Sequence, residues 1–439
     1  MISPRLDWFQ FLTSNINNSP SGFEDQAFIE YLNPKLFIGR QSSKLDLGLD
    51  MEIKAINYMY TDVPDRKDYQ VIGSASTSLL NESLSIKGKF YVDQQLESIE
   101  QSIASDNVLS DGFDKVNGYF VEGRYDAYFK DKDKLFVSNA RRLSTYKRNP
   151  NLNISGSDFN VGYISNFLYQ RVNLELDFSS EQKRFENTRN YDNDIIGSFA
   201  ALNYHFGDKF SLRGMYGYED IKYLNNDLRY VNSRWELGTQ WYMRRLRIAL
   251  SYGRRFFGKT YSGLLGYKGN AIYMDVAYKE EVGDSFQNSL LDNIPSESGA
   301  PATPAQIFNA TGSGTYVLKR WEERFKYKKD KYTLDISSYA YKHNYLLSDS
   351  TDWAYQVTID ANINITKRFD LGMMVRRHVA RLLAENVKDT QHLSSVRAER
   401  KIRRNMTGRL EFSRLVREST NSIRDYKEAI IMSYLRVDI

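Results

Sequence analysis

The stretch Lys44-Leu45-Asp46-Leu47-Gly48-Leu49-Asp50-Met51-Glu52-Ile53-Lys54 decides the fold. Leu45, Leu47, Leu49, Met51 and Ile53 share one parity, and Asp46, Asp50, Glu52 and Lys54 share the other. Successive side chains of a β-strand point to opposite faces, so this segment reads as a strand with one apolar and one charged face. The same period recurs outward along the chain. Leu84, Ile86, Phe90 and Val92 alternate with Ser85, Lys87, Lys89 and Asp93. Val172, Leu174, Leu176 and Phe178 alternate with Asn173, Glu175, Asp177 and Ser179, and Tyr355 to Ile365 repeats the scheme. The last residues follow it too, with Ile431, Leu435, Val437 and Ile439 set against Met432, Tyr434, Arg436 and Asp438. Helical periodicity is hard to find anywhere.

The connections alternate as well. Short polar turns fall at 41–43, 81–83, 130–134, 207–209, 269–270, 329–331, 366–368 and 403–405. Between them lie mostly longer polar segments, at 94–116, 147–156, 180–193, 283–314, 380–392 and 418–425. Short turns on one rim and long loops on the other is the layout of an outer-membrane barrel. Laid end to end, the strands number about 22, within a range of roughly 16–24, with both termini on the short-turn side. The expected fold is all-β: a single transmembrane antiparallel up-and-down β-barrel occupying residues 1–439 as one domain. A soluble antiparallel sandwich or repeat array also has two-faced strands. Three features favour the barrel. Strand candidates run to about 10–13 residues, near the transmembrane requirement. The turn and loop asymmetry persists along the chain. Tyr58, Tyr60, Tyr252, Tyr261, Tyr332 and Tyr426 sit near strand ends, where an interfacial girdle is expected.

Composition is consistent with this reading. A chain of 439 residues suggests two or three soluble domains by length alone, yet no linker or compositional shift divides it. Aromatic residues reach 14%, with 32 Tyr and 24 Phe, while 26% of residues are charged. Cysteine is absent, which excludes disulfides, thiolate metal sites and a cysteine nucleophile. Mean hydropathy is −0.56 and no apolar run is long enough for a transmembrane helix, but a barrel hides its lipid face in every second residue. The 60 basic and 55 acidic residues are interspersed, without the clustered basic stripe of a nucleic-acid partner. Met1-Ile2-Ser3-Pro4-Arg5-Leu6-Asp7 lacks a basic start followed by an apolar run, so no signal peptide is expected within this sequence. The strand pattern itself places the protein in a bacterial outer membrane, in contact with its lipid.

Parity nominates a lumen lining of mixed charge: Asp46, Asp50, Glu52, Lys87, Glu122, Arg124, Glu175, Arg247, Arg255, Asp360 and Arg376. Any wide, wet barrel needs charge inside, so the lining does not specify selectivity. Gly253-Arg254-Arg255-Phe256-Phe257-Gly258-Lys259-Thr260 matches the G-x-x-x-x-G-K-[ST] phosphate-loop pattern letter for letter. That motif needs a helix after it, and Tyr261-Ser262-Gly263-Leu264-Leu265-Gly266-Tyr267 is a poor helix. The expected structure is a tight hairpin tip on the long-loop rim, without a nucleotide. The four histidines, His205, His343, His378 and His392, show no metal-type pairing. His343 and His378 fall near the long-loop rim, with Ser348, Asp349 and Asp352 close to His343 in sequence. Without a nucleophile motif they read as solvated rim histidines. No metal, cofactor or catalytic set is expected.

The segment 283–314 is the longest gap between strand candidates. Leu290, Leu291 and Ile294 form an apolar patch in its first half, and Ser296-Glu297-Ser298-Gly299-Ala300-Pro301-Ala302-Thr303-Pro304 has the composition of a flexible strap. Barrels of about 22 strands are usually plugged. Alternation begins at Ile2, leaving no N-terminal plug in this sequence, so a folded-in loop is one way to constrict the lumen. A mobile surface loop is the other reading of the segment.

At Tyr252-Gly253-Arg254-Arg255-Phe256-Phe257-Gly258-Lys259-Thr260-Tyr261-Ser262 the sequence resembles the outer-membrane β-barrel proteins of the PEP-CTERM/exosortase system, encoded in exopolysaccharide loci. Ile2-Ser3-Pro4-Arg5-Leu6, Pro34-Lys35-Leu36, Leu45 to Asp50, Tyr204-His205-Phe206-Gly207-Asp208 and Tyr316-Val317-Leu318-Lys319-Arg320 resemble other parts of that family. The resemblance implies a location and a pathway, not a chemistry. The expected function is a passive channel or secretion conduit for extracellular polysaccharide, working with a periplasmic export protein. The alternatives are a structural barrel that anchors a partner through its loops and a barrel enzyme acting on lipid or glycan.

Overall fold

In the computed structural model of the chain, the described residues are 2–15, 26–42, 44–59, 65–96, 113–129, 133–147, 150, 153–165, 171–186, 192–224, 228–284, 315–345, 351–382, 387–421 and 425–439. They form one antiparallel sheet of 22 strands. The first eleven are β1 (Ile2–Thr13), β2 (Ala27–Gln41), β3 (Leu45–Met59), β4 (Arg66–Leu79), β5 (Leu84–Leu96), β6 (Phe113–Tyr128), β7 (Lys134–Tyr146), β8 (Ile154–Ile164), β9 (Val172–Phe185), β10 (Asn193–His205) and β11 (Phe210–Tyr223). The rest are β12 (Arg229–Tyr242), β13 (Leu246–Arg255), β14 (Gly258–Lys268), β15 (Ile272–Asp284), β16 (Thr315–Lys329), β17 (Tyr332–Tyr345), β18 (Thr351–Thr366), β19 (Phe369–Leu382), β20 (Val387–Arg403), β21 (Met406–Ser419) and β22 (Tyr426–Asp438). Each strand pairs with the next in sequence. β22 returns to β1, from Arg5 opposite Asp438 to Thr13 opposite Ile430, and closes the barrel.

Register fixes which residues share a face. Asp50 lies opposite Phe37 and Ile72, while Leu49 lies opposite Ile38 and Gly73. Following the pairings round the wall separates an ionic face from an apolar one. The ionic face is the concave one. All the buried apolar residues except Val317 and Val379 share it, because side chains crowd together only on the inside of a curved sheet. The convex face is exposed and apolar. On β13, Leu246, Ile248, Leu250 and Tyr252 precede Arg254; on β11, Phe210, Leu212, Gly214, Tyr216 and Tyr218 precede Asp220. Leu250 is 54% exposed and Leu237 62%, values that suit contact with hydrocarbon. Outward aromatics bound this belt on both sides, including Trp241, Tyr267 and Tyr332 toward the turn rim and Trp235, Tyr252, Tyr261 and Trp321 toward the loop rim.

The expectation of alternating short turns and longer loops holds in direction, with corrections. Strands extend into segments read as loops. β9 continues to Phe185, leaving 186–192 as the connection. β20 begins at Val387, within the expected 380–392 loop. Polar side chains hid these extensions, because past the apolar belt the outward face turns polar and period-two contrast disappears. Two of the expected girdle tyrosines are also reassigned. Tyr58 and Tyr426 face inward and are 9% and 2% exposed, Tyr58 packing with Ile29, Tyr31 and Ile56. Tyr60 lies outside the described residues.

The face assignment predicts that Leu250→Arg costs about 2–4 kcal/mol of folding stability in lipid vesicles. Asp46→Arg, on the concave face, changes it by about 0.5 kcal/mol. Equilibrium refolding measures both, and the reverse order of costs would invert the assignment of faces.

Candidate functional site: the barrel lumen

The concave face divides along the strands. Toward the turn rim it carries a series of ion pairs, some within a strand and others joining strands one or two apart. Glu52 accepts from Lys35 Nζ at 3.2 Å, from Lys54 at 3.8 Å and from Asn33 Nδ2 at 2.6 Å. Lys87 reaches Glu122 at 3.8 Å, and Arg124 donates from Nε to Asp126 at 2.9 Å while lying over the Phe136 ring. Arg213 pairs with Glu175 at 2.9 Å. Arg397 bridges Asp360 at 3.0 Å and Asn362 Oδ1 at 2.8 Å, and Arg409 pairs with Glu399 at 2.6 Å. Cations and anions within reach of each other on this face satisfy one another without forming a single-sign ring, so the wall stays ionic but nearly balanced.

Toward the loop rim the concave face is packed. Phe11, Ala27, Ile29, Tyr31, Ile56, Tyr58 and Ile430 form one cluster across the closing seam. Tyr316, Leu318, Tyr341, Tyr345, Ala354 and Ala380 form a second. Charges here are clamped. Arg255 grips Glu219 with Nη2 to Oε1 at 2.5 Å and Nε to Oε2 at 3.1 Å, and Arg234 adds a third bond at 3.2 Å.

All the residues nominated from parity lie on the concave face by register. Lys87 and Glu122 pair with each other; Arg247 lies over the Tyr242 ring at 5.5 Å, and Arg376 Nη2 approaches Met374 Sδ at 3.8 Å. The other partners, among them Lys35, Asn33, Asp126, Arg213, Glu219 and Arg397, were not singled out. Each has lumen parity on its own strand, but only the register shows which residue meets which. Leu290, Leu291, Ile294 and the remainder of 285–314 lie outside the described residues, as do Ser348 and Asp349.

The histidines need correction. His343 and His378 are 3% and 1% exposed, so neither is a solvated rim group. Both have inward parity in the packed half. His343 faces Leu318 and Asp352 across the sheet and lies 4.6 Å from the Tyr316 ring, and Tyr345 Oη donates to Asp352 Oδ2 at 3.1 Å. His378 faces Gln356 and Gln391. These cross-strand partners include no hydroxyl nucleophile. Among the described residues no three His, Cys, Asp or Glu side chains gather as a metal would require.

The phosphate-loop look-alike is a hairpin. Residues 256–257 are its two-residue tip, on the loop rim between β13 and β14. Gly258 has φ +125°, which L side chains rarely adopt, and a Cβ on Gly253 would lie 2.3 Å from the Trp235 carbonyl oxygen. Both glycines therefore answer the needs of a sharp turn and close strands.

No protein-family model and no curated protein matches the chain. Solved structures do. The FrpB iron transporter from Neisseria meningitidis (F5-1 variant) superposes with a TM-score of 0.59 at 10% identity, covering 100% of this chain and 82% of that one. The siderophore receptor PirA from Acinetobacter baumannii gives 0.56 at 8% identity, over 100% and 80%. The ferric-catecholate import receptor Fiu from E. coli gives 0.54 at 9% identity, over 99% and 81%. Identity this low is a likeness of fold. Closed wall, apolar belt and paired girdles define the class: a 22-stranded β-barrel of the bacterial outer membrane.

The hairpin geometry predicts that the folded barrel binds no ATP and that Lys259→Ala changes nothing in a nucleotide-binding titration. ATP binding that is lost in Lys259→Ala would restore the phosphate-loop reading.

Proposed function

We propose that this barrel is a passive outer-membrane conduit for a hydrated, polyhydroxylated solute, extracellular polysaccharide leaving the cell being the candidate. The observation that supports the reading is the balanced series of ion pairs in the turn-rim half. Charges that neutralise one another keep a wall wet without trapping ions of one sign, which suits a neutral or zwitterionic polymer moving past them. The resemblance to exopolysaccharide-locus barrels points the same way and adds a periplasmic export protein docking at the turn rim. A second reading draws on strand number and fold. Barrels of 22 strands include plugged outer-membrane transporters, and the similar solved barrels are described as an iron transporter and siderophore receptors, so uptake of an iron chelate is the competing function. An anchoring barrel or a barrel acting on lipid or glycan stands behind these.

Planar-bilayer recording separates the first two. A conduit gives steady conductance with a reversal potential near zero in a salt gradient, and proteoliposomes leak dextran. Arg397→Glu leaves Asp360 and Asn362 beside a second acid and shifts the reversal potential toward cation selectivity. A folded barrel that neither conducts nor leaks dextran, yet binds a ferric chelate tightly, would reject the conduit.

A further inference from the structure

We propose that the outward face of β19–β22 near the loop rim is a binding site for the phosphate groups of a phosphorylated glycolipid in the outer leaflet. Five permanent cations gather there: Arg377, Arg381, Lys388, Arg414 and Lys427, with His392 among them. Register places Arg381 directly opposite Lys388 and Arg377 directly opposite His392. Arg414 lies opposite Ser394, one pleat from His392, and Lys427 lies opposite Val416, which itself faces His392. All six side chains are exposed.

The depth of the patch selects the ligand. Directly below Arg377 on the same face come Val375 and Met373, 45% and 51% exposed, and below Arg414 come Phe412 and Leu410, 51% and 57% exposed. These are hydrocarbon-facing positions, so the cations stand where the belt ends. On β18, Trp353 and Tyr355 stack at 6.2 Å, with Trp353 opposite Arg381, as aromatics do at the headgroup level. Longer loops mark the extracellular rim, so this boundary belongs to the outer leaflet.

Charge selects the chemistry. Like charges directly opposite in a sheet destabilise it, yet among the described residues the strands of the patch carry one outward carboxylate, Glu418, opposite Thr390. Among the described residues no ion pair reaches any of the five cations. Some other outward cations of the same rim are paired: Arg184 holds Asp194 at 2.7 Å, Arg229 holds Asp220 at 2.5 Å and Lys319 holds Glu280 at 3.1 Å. The β19–β22 cations have no such partners among the described residues and sit where headgroups reach them. A phosphate monoester offers the divalent charge and the forked oxygens that guanidinium groups bind in pairs.

The test uses the purified barrel in neutral alkyl-maltoside micelles, with bis-phosphorylated lipid A as probe and native mass spectrometry as readout. The triple variant Arg377→Gln, Lys388→Gln, Arg414→Gln is expected to lose at least about tenfold in affinity. The control Lys67→Gln, Lys222→Gln, Lys259→Gln, changing outward cations elsewhere, should bind as the wild type does. Dephosphorylated lipid A should bind poorly to all three, and inorganic phosphate should not displace the lipid. Equal losses in patch and control variants, or displacement by inorganic phosphate at equal concentration, would overturn the site. If the patch variant does not fold, a photoactivatable phosphorylated lipid A on the wild-type barrel decides. Cross-links concentrated in residues 377–427 support the site, and cross-links spread evenly round the wall refute it.

Discussion

An unpaired backbone N–H or C=O costs several kcal/mol in hydrocarbon, so a sheet crossing a membrane cannot keep an open edge. Everything else in this barrel depends on that requirement, and the β1–β22 seam is where it is met. Nine residue pairs span the seam, from Arg5 opposite Asp438 to Thr13 opposite Ile430. Side chains lock its register from within. Tyr434 Oη donates to Asp7 Oδ1 at 2.9 Å, Arg5 reaches both groups, and Thr13 Oγ1 donates to Glu428 Oε1 at 2.6 Å. A slip of one residue at the seam would turn either Asp7 or Glu428 toward lipid and leave its partners unpaired, so the polar pairs on the concave face are also what makes one register the right one.

Closure then decides how charge is distributed. Inside, cations and anions of the concave face answer one another across one strand boundary, as Lys35 on β2 and Glu52 on β3 do, or across two, as Arg397 on β20 and Asp360 on β18. Outside, the belt is largely apolar, with Glu323 below Trp321 accepting from the Ser338 hydroxyl, and ionic side chains gather where it ends. Several of those pair locally, while the β19–β22 cations find no such partner among the described residues.

Parity was legible in the sequence because a strand with one face in lipid tolerates few exceptions. Asp46, Asp50 and Glu52 declare their face against Leu45, Leu47 and Leu49 before any partner is known. Height along the strand was much less legible. Tyr58 and Tyr426 sit near strand ends, as girdle residues do, but alternation from Glu52 through Lys54 and Ile56 carries Tyr58 inward, where it is covered. His343 and His378 look like rim groups by sequence position and are buried by neighbours from other strands. Burial of that kind depends on what lies across the sheet. Partner choice escaped for the same reason: Arg255 belongs to Glu219, 36 residues away, through a register that no local pattern encodes.

The sequence most suggestive of chemistry was the least informative about it. A phosphate loop uses its glycines for a tight turn and for close approach of the backbone to an anion. A two-residue hairpin between tightly packed strands has the same two needs. Gly258 supplies the positive φ at the turn, and Gly253 lets β13 pass close to the Trp235 carbonyl. The path of the chain beyond the turn separates the two cases. In a phosphate loop the chain continues as a helix, whose N-terminal N–H groups remain free to bind an anion. Here it continues as β14, which pairs with β13 from Gly258 onward and with β15 from Ser262 onward. Lys259 points to the outer face, opposite Arg254, while Thr260 is buried on the inner one, so the two residues that would serve a nucleotide together are on opposite sides of the wall. Period two, which identified the fold, also dismantles the motif.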